Sequence, residues 1–254
     1  MNTISVNGIT LAYSRQGKGA PLVLIHGYPL DGSIWNEVAP VLGMQYDVIV
    51  PNLRGFGGST TVNSTYTISD MADDISGLLD HLGMEKAAFA GHSMGGYVAL
   101  AFAKKYPKRV SSLALVSSQA VGDPPERKEA RYKTAEEVAQ KGVGVVVDAM
   151  TTKLSADQRV QSLARSLITK QSKEGIIGAL KAMAEREDIT SSLSSFAFPI
   201  VLVHGEADAL IPIDRAREIK ALVPSASLVE LPSVGHLPMM EAPEMTVNTL
   251  KLLK

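Results

Sequence analysis

Six short apolar runs, at residues 21–25, 46–50, 86–90, 109–116, 199–203 and 227–231, constrain this 254-residue chain most. Each has strand length, is rich in Val, Ile, Leu or Ala, and is punctuated by Gly or Pro. A strand with one solvated face alternates apolar and polar residues. These runs are nearly continuous, which is the pattern of strands covered on both faces. Helical patterns lie between several of them. Ile68, Met71, Ile75, Leu78, Leu79 and Leu82 keep a 3/4 spacing, with a Thr67…Asp70 capping box before them and Gly83 after. Residues 97–106 read as a second helix that stops at Pro107, and Pro243 opens a C-terminal one. Strands alternating with helices imply an α/β fold with a mostly parallel central sheet flanked by helices. Around Asn7-Gly8, residues 4–6 and 11–13 read as an antiparallel hairpin at the sheet edge.

The rhythm breaks between residues 122 and 195. Helical stretches are expected at 129–141, 157–171 and 173–187, the second opened by a Ser155-x-x-Gln158 box. Only residues 143–147 stay ambiguous between strand and helix. The expected organisation is therefore a core domain of residues 1–121 and 196–254, with a helical insertion of residues 122–195.

Composition narrows the function classes. Net charge is −1, and no Lys/Arg block stands out, against a nucleic-acid or polybasic membrane footprint. With no cysteine, disulfides, thiolate metal sites and a Cys nucleophile are excluded. The first ten residues have neither a basic n-region nor an apolar h-region, and no apolar run approaches membrane-spanning length. A cytoplasmic protein, monomeric or homodimeric, is expected.

Ser93 in Ala90-Gly-His-Ser-Met-Gly-Gly96 falls between an expected strand and an expected helix. In that context Gly-x-Ser-x-Gly lifts a hydroxyl clear of the sheet on a sharp turn, with glycine on both sides where strand and helix converge. A serine needs a base, and the base needs an orienting group. Of five histidines, His81 lies on a polar helix face, His92 adjoins the serine and points wrongly for a base, and His26 and His204 end buried strands as scaffold hydrogen-bonders. His236, on a loop after the last strand, is the base by elimination. Asp208 follows the 199–203 strand and supplies the acid, with Glu206 as its competitor. The order Ser93…Asp208…His236, each beyond a strand's C-terminal end, suits an open α/β sheet. Backbone N–H groups of Met94 and of Tyr28, in His26-Gly-Tyr-Pro29, are the expected oxyanion donors.

On these residues the chain resembles the α/β-hydrolases of the carboxylesterase, enol-lactonase and non-heme haloperoxidase group. The resemblance spans essentially the full length, through HGYP with Trp35 downstream, PNLRGFGGS, GHSMGG, HGEADALIP and VGHLPMMEAP. It implies an α/β-hydrolase fold with residues of about 120–195 as a helical lid. One departure is Asn52, where the family usually has Asp, which puts an ion pair with Arg54 in question. Ser93 stands where dehalogenase and epoxide-hydrolase relatives carry Asp, and Leu237 where hydroxynitrile-lyase relatives carry Lys.

The expected activity is hydrolysis of small to medium, largely apolar carboxylic esters through an acyl-enzyme, with no cofactor and no metal. Lactonase, C–C hydrolase or perhydrolase chemistry on the same residues is the alternative, and a triad-retaining ligand receptor is one of another class. The expected pocket is apolar, lined by Tyr28, Trp35, Met94, Leu210, Leu237 and insertion residues Val145 or Met150. No Arg or Lys is evidently aimed at it, which favours a neutral ester.

Overall fold

The structure, a computed structural model, describes residues 1–253. It opens with the hairpin of β1 (Asn2–Val6) and β2 (Ile9–Gln16), in which Val6 pairs with Ile9. Asn7 and Gly8 both take positive φ, as a tight hairpin turn between right-twisted strands requires. The chain continues through β3 (Ala20–Ile25), the short α1 (Ala39–Leu42), β4 (Tyr46–Pro51), α2 (Ile68–His81), β5 (Ala87–His92), α3 (Met94–Lys105) and β6 (Val110–Val116). After the inserted helices come β7 (Ile200–Gly205), α8 (Asp214–Leu222), β8 (Ser227–Leu231), α9 (Pro238–Glu241) and α10 (Pro243–Leu250).

These strands form one eight-stranded sheet in the order β1-β2-β4-β3-β5-β6-β7-β8. Only the β1–β2 and β2–β4 pairings are antiparallel; every other neighbour is parallel. All six apolar runs are strands within it. Leu22, Val23, Leu24 and Ile25 are fully buried because helices cover both faces of the sheet. The capping box of α2 is complete: Asp70 N–H donates to Thr67 Oγ1, and Thr67 N–H donates to an Asp70 carboxylate oxygen.

Residues between β6 and β7 fold into α4 (Pro125–Lys141), α5 (Gly144–Leu154), α6 (Gln158–Thr169) and α7 (Lys173–Ala184), with α4 packed on α7 and α5 on α6. Residues 144–147 of the ambiguous stretch are therefore helical, with Val143 as the N-cap. The start of α6 differs from the sequence expectation. Asp157 caps it, accepting from Arg159 N–H and Val160 N–H, whereas Ser155 Oγ accepts from Asp157 N–H. Among the described residues no helix is long and apolar enough to cross a membrane.

The pairing of Arg54 is resolved without Asp at position 52. Arg54 makes two 2.7 Å bonds to the Asp74 carboxylate on α2. Asn52 is instead turned to local structure, its Oδ1 accepting from Gly32 N–H at 2.8 Å.

Candidate active site

Ser93 lies between β5 and α3 with φ +51° and ψ −114°, a backbone state that costs a non-glycine residue of order 1–3 kcal/mol. Its flanking glycines are there for space. A Cβ on Gly91 would sit 2.3 Å from the Gly95 carbonyl oxygen, and one on Gly95 would sit 2.4 Å from that of Ile25. Strand, turn and helix thus approach too closely for any side chain on either side of the serine.

Asp208, after β7, and His236, after β8, meet: Asp208 Oδ2 is 2.7 Å from His236 Nδ1. Glu206 is exposed and takes no part. Asp208 Oδ1 accepts from Leu210 N–H at 2.8 Å and Ile211 N–H at 3.0 Å, while His204 Nε2 stands 3.4 Å from Oδ2. Burial works against ionisation of Asp208. Neighbouring His236 and His204 and the Ile211 N–H outweigh it and hold the carboxyl well below the usual carboxylate range. An ionised Asp208 places a proton on Nδ1 of His236 and leaves Nε2 with its lone pair.

Four hydrogen bonds, to three residues, fix the loop that carries His236. Its N–H donates to the Leu154 carbonyl on α5 at 3.0 Å. Its carbonyl accepts from His92 Nε2 at 2.8 Å. Glu241 on α9 receives the N–H groups of Gly235 and Leu237, each at 3.0 Å, one on either side of His236. His92 is fully buried, and its other ring nitrogen has no partner among the described residues. Burial, with His236 adjacent, pushes its pKa well below the ordinary value, so it is a neutral donor that braces the loop. His26 and His204 are scaffold residues as expected: His26 Nε2 accepts from Leu53 N–H at 2.9 Å, and His204 Nε2 donates to the Ile211 carbonyl at 2.8 Å.

Ser93 and His236 line one cavity of about 300 Å³. Its walls come from faces of α4, α5 and α7 above the C-terminal ends of the strands. The residues of α4 recur as Arg127, Ala130, Arg131 and Thr134, and those of α5 as Val146, Ala149, Met150 and Lys153, each set one helical face. Tyr28, Leu210 and Met150 line it, as the sequence suggested. Met94 is fully buried, so only its backbone can serve the site. Neither Tyr28 N–H nor Met94 N–H donates a hydrogen bond among the described residues. The latter is one of the unpaired first-turn donors of α3.

Besides Met94, three expected lining residues are absent from the cavity lining. Trp35 ends a 3₁₀ turn capped by Asp31 and is buried in the core. Leu237 is likewise fully buried beside α9. Val145 packs half-buried against the core, and Val146 takes its place; one residue along a helix turns a side chain by about 100°. The expectation of an apolar cavity with no Arg or Lys evidently aimed at it is also overturned, by Arg127, Arg131 and Lys153. A second cavity of about 470 Å³ shares Tyr97 with the first but contains none of Ser93, Asp208 or His236.

Residues 20–243 match the alpha/beta hydrolase fold family. Among solved structures, a thermophilic esterase from Thermogutta terrifontis, with malate bound, gives a TM-score of 0.96 at 36% identity, over 99% of this chain and 97% of that one. The dihydrolipoyllysine-residue acetyltransferase component of the acetoin cleaving system of Pseudomonas putida is 34% identical over 244 residues. That match takes in 89% of this chain and 61% of the relative, so this chain spans less than two thirds of that protein's length. The pimeloyl-[acyl-carrier protein] methyl ester esterase of Aliivibrio salmonicida is 27% identical over 252 residues, 90% of each chain. On the match to residues 20–243, this chain belongs to the α/β-hydrolase fold family of hydrolase enzymes.

Proposed function

We propose that the protein is a carboxylic ester hydrolase working through an acyl-enzyme on Ser93. The observation that carries this reading is the buried 2.7 Å contact of Asp208 with His236, whose imidazole lines the same cavity as Ser93. His236 Nε2 takes the Ser93 proton as the hydroxyl oxygen attacks the ester carbonyl. The Oγ–carbon bond forms, and the oxyanion is received by the Met94 and Tyr28 N–H groups. The imidazolium, steadied by Asp208, gives its proton to the leaving alkoxide as the carbon–oxygen bond breaks. Water then repeats the sequence, with His236 as base, and releases the carboxylic acid and free Ser93.

Two of the similar proteins are named as esterases, which supports this reading over other chemistry on the same residues. The test is turnover of p-nitrophenyl acetate and butyrate. Sustained multiple turnover that disappears in Ser93→Ala supports the enzyme. A single acylation followed by stalling points to a ligand receptor instead.

A further inference from the structure

The cavity beside Ser93 carries more positive charge than its structural ion pairs consume. Arg127, Arg131 and Lys153 line it, and among the described residues no Asp or Glu does. Asp123 is the buried carboxylate behind this wall, and the more exposed Asp188 also interacts with Arg186. Asp123 pairs with Arg131 Nε, with Arg186 Nη1 at 2.8 Å and more loosely with Arg127 Nε at 3.7 Å. Two carboxylates among three guanidinium groups leave one positive charge, before Lys153 is counted.

The free donors are in the same place. Arg131 spends Nε on Asp123 and turns Nη1 to Met183 Sδ at 3.5 Å, while its Nη2 has no partner among the described residues. Arg131 is 13% exposed at its side chain, so its charge is little weakened by water. Lys153 Nζ likewise has no partner among the described residues and stands at the solvent side of the cavity. Tyr28, which lines the same cavity, has a buried hydroxyl without a partner among the described residues. Burial raises its pKa, so it remains a proton donor. The apolar side chains of Val146, Met150, Leu180 and Met183 fill the rest of the wall. A short hydrocarbon chain ending in an anion matches this lining better than a neutral alkyl group does, because cations in a confined cleft concentrate anions and charge-assisted bonds exceed neutral ones.

From this geometry we infer that the substrate is an ester carrying a second, ionised carboxylate, held by Arg131 and Lys153 while its ester group meets Ser93. The inference rests on the ester-hydrolase reading for the bond broken. Arg131 can donate to that carboxylate through its free Nη2, and Lys153 adds a mobile point charge at the entrance.

Binding to the Ser93→Ala protein tests the charge preference without requiring turnover. Calorimetry compares monomethyl glutarate with dimethyl glutarate for a carboxylate on the acyl side, and acetoxyacetate with ethyl acetate for one on the alcohol side. At least one charged member is expected to bind about tenfold or more tightly than its neutral counterpart. Arg131→Met on the same background is expected to reduce that ratio about tenfold, Arg131→Lys to restore part of it, and the exposed Lys153→Met to reduce it severalfold. Equal affinity for the charged and neutral members of both pairs overturns the inference. So does a charge preference that survives both Arg131→Met and Lys153→Met. If wild-type protein binds the charged ester preferentially but hydrolyses no ester, the ester-hydrolase reading fails and the charge assignment stands.

Discussion

His92 Nε2 donates to the carbonyl oxygen of His236 across 2.8 Å, so the residue before the candidate nucleophile braces the backbone of the candidate base. Removing the donor leaves a buried carbonyl unpaired. His92→Ala is expected to cost about 1–3 kcal/mol of stability and to lower kcat more than it raises KM. His92→Gln, which keeps a donor, should recover part of both. Urea unfolding and ester kinetics on the two variants provide the check; equal kcat in all three proteins would remove His92 from the positioning of His236.

Glu241 fixes the same loop from below, through the N–H groups of Gly235 and Leu237. Glu241→Ala frees both and lets the imidazole drift from Asp208. A fall in kcat of about tenfold to a hundredfold is expected, because small misplacements of reacting groups are costly. Glu241→Gln keeps one acceptor oxygen and should lie between wild type and Glu241→Ala.

The positive φ of Ser93 makes a stability prediction separate from catalysis. Glycine adopts that conformation freely, alanine does not. Ser93→Gly should therefore be more stable than Ser93→Ala by about 1 kcal/mol, after allowing for glycine's extra freedom in the unfolded chain. Denaturant midpoints decide this, and both variants should lack ester turnover.

Stability should also depend on pH through two buried histidines. Burial lowers the pKa of His26, and burial with His236 alongside lowers that of His92 much further. Below about pH 6.5 the unfolded chain takes up protons that these residues refuse in the folded protein. Their contribution is thus fully present above that pH and lost as pH falls, by up to about 1.4 kcal/mol per pH unit for each histidine. Urea unfolding from about pH 8 down to about pH 5 should show the decline, and His92→Gln should make it shallower.

Much of the fold was legible because its strands are covered on both faces, which leaves continuous apolar runs that turn residues cut to length. Val143 to Val147 was not, since a short run of β-branched residues suits a buried strand and a buried helix equally. Ser155 and Gln158 had the spacing of a capping box, yet Asp157 sits closer to the first free N–H groups of α6 and wins the position. At the site, Asp208 and His236 could be read because each follows a strand end in the expected order. Leu237 adjoins His236 and Trp35 ends the 3₁₀ turn after β3, yet both turn into the core, and sequence position carries no orientation. The cationic wall was missed for a related reason. Arg127 and Arg131 are four apart and so share a face of α4, but only the packing of α4 on α7 turns that face toward Ser93.

The most direct test of the account is where a substrate acyl group goes. Wild-type protein, Asp208→Asn and Ser93→Ala are mixed with p-nitrophenyl butyrate, quenched in acid within a turnover, and read by intact mass and peptide mapping alongside steady-state rates. Wild type is expected to carry one butyryl group on the peptide containing Ser93 and to turn over repeatedly. Asp208→Asn should remain folded with kcat reduced by roughly 10⁴, and Ser93→Ala should carry no butyryl group. Ester hydrolysis at the wild-type rate by Ser93→Ala, or an acyl group on another residue of the active protein, would contradict the account.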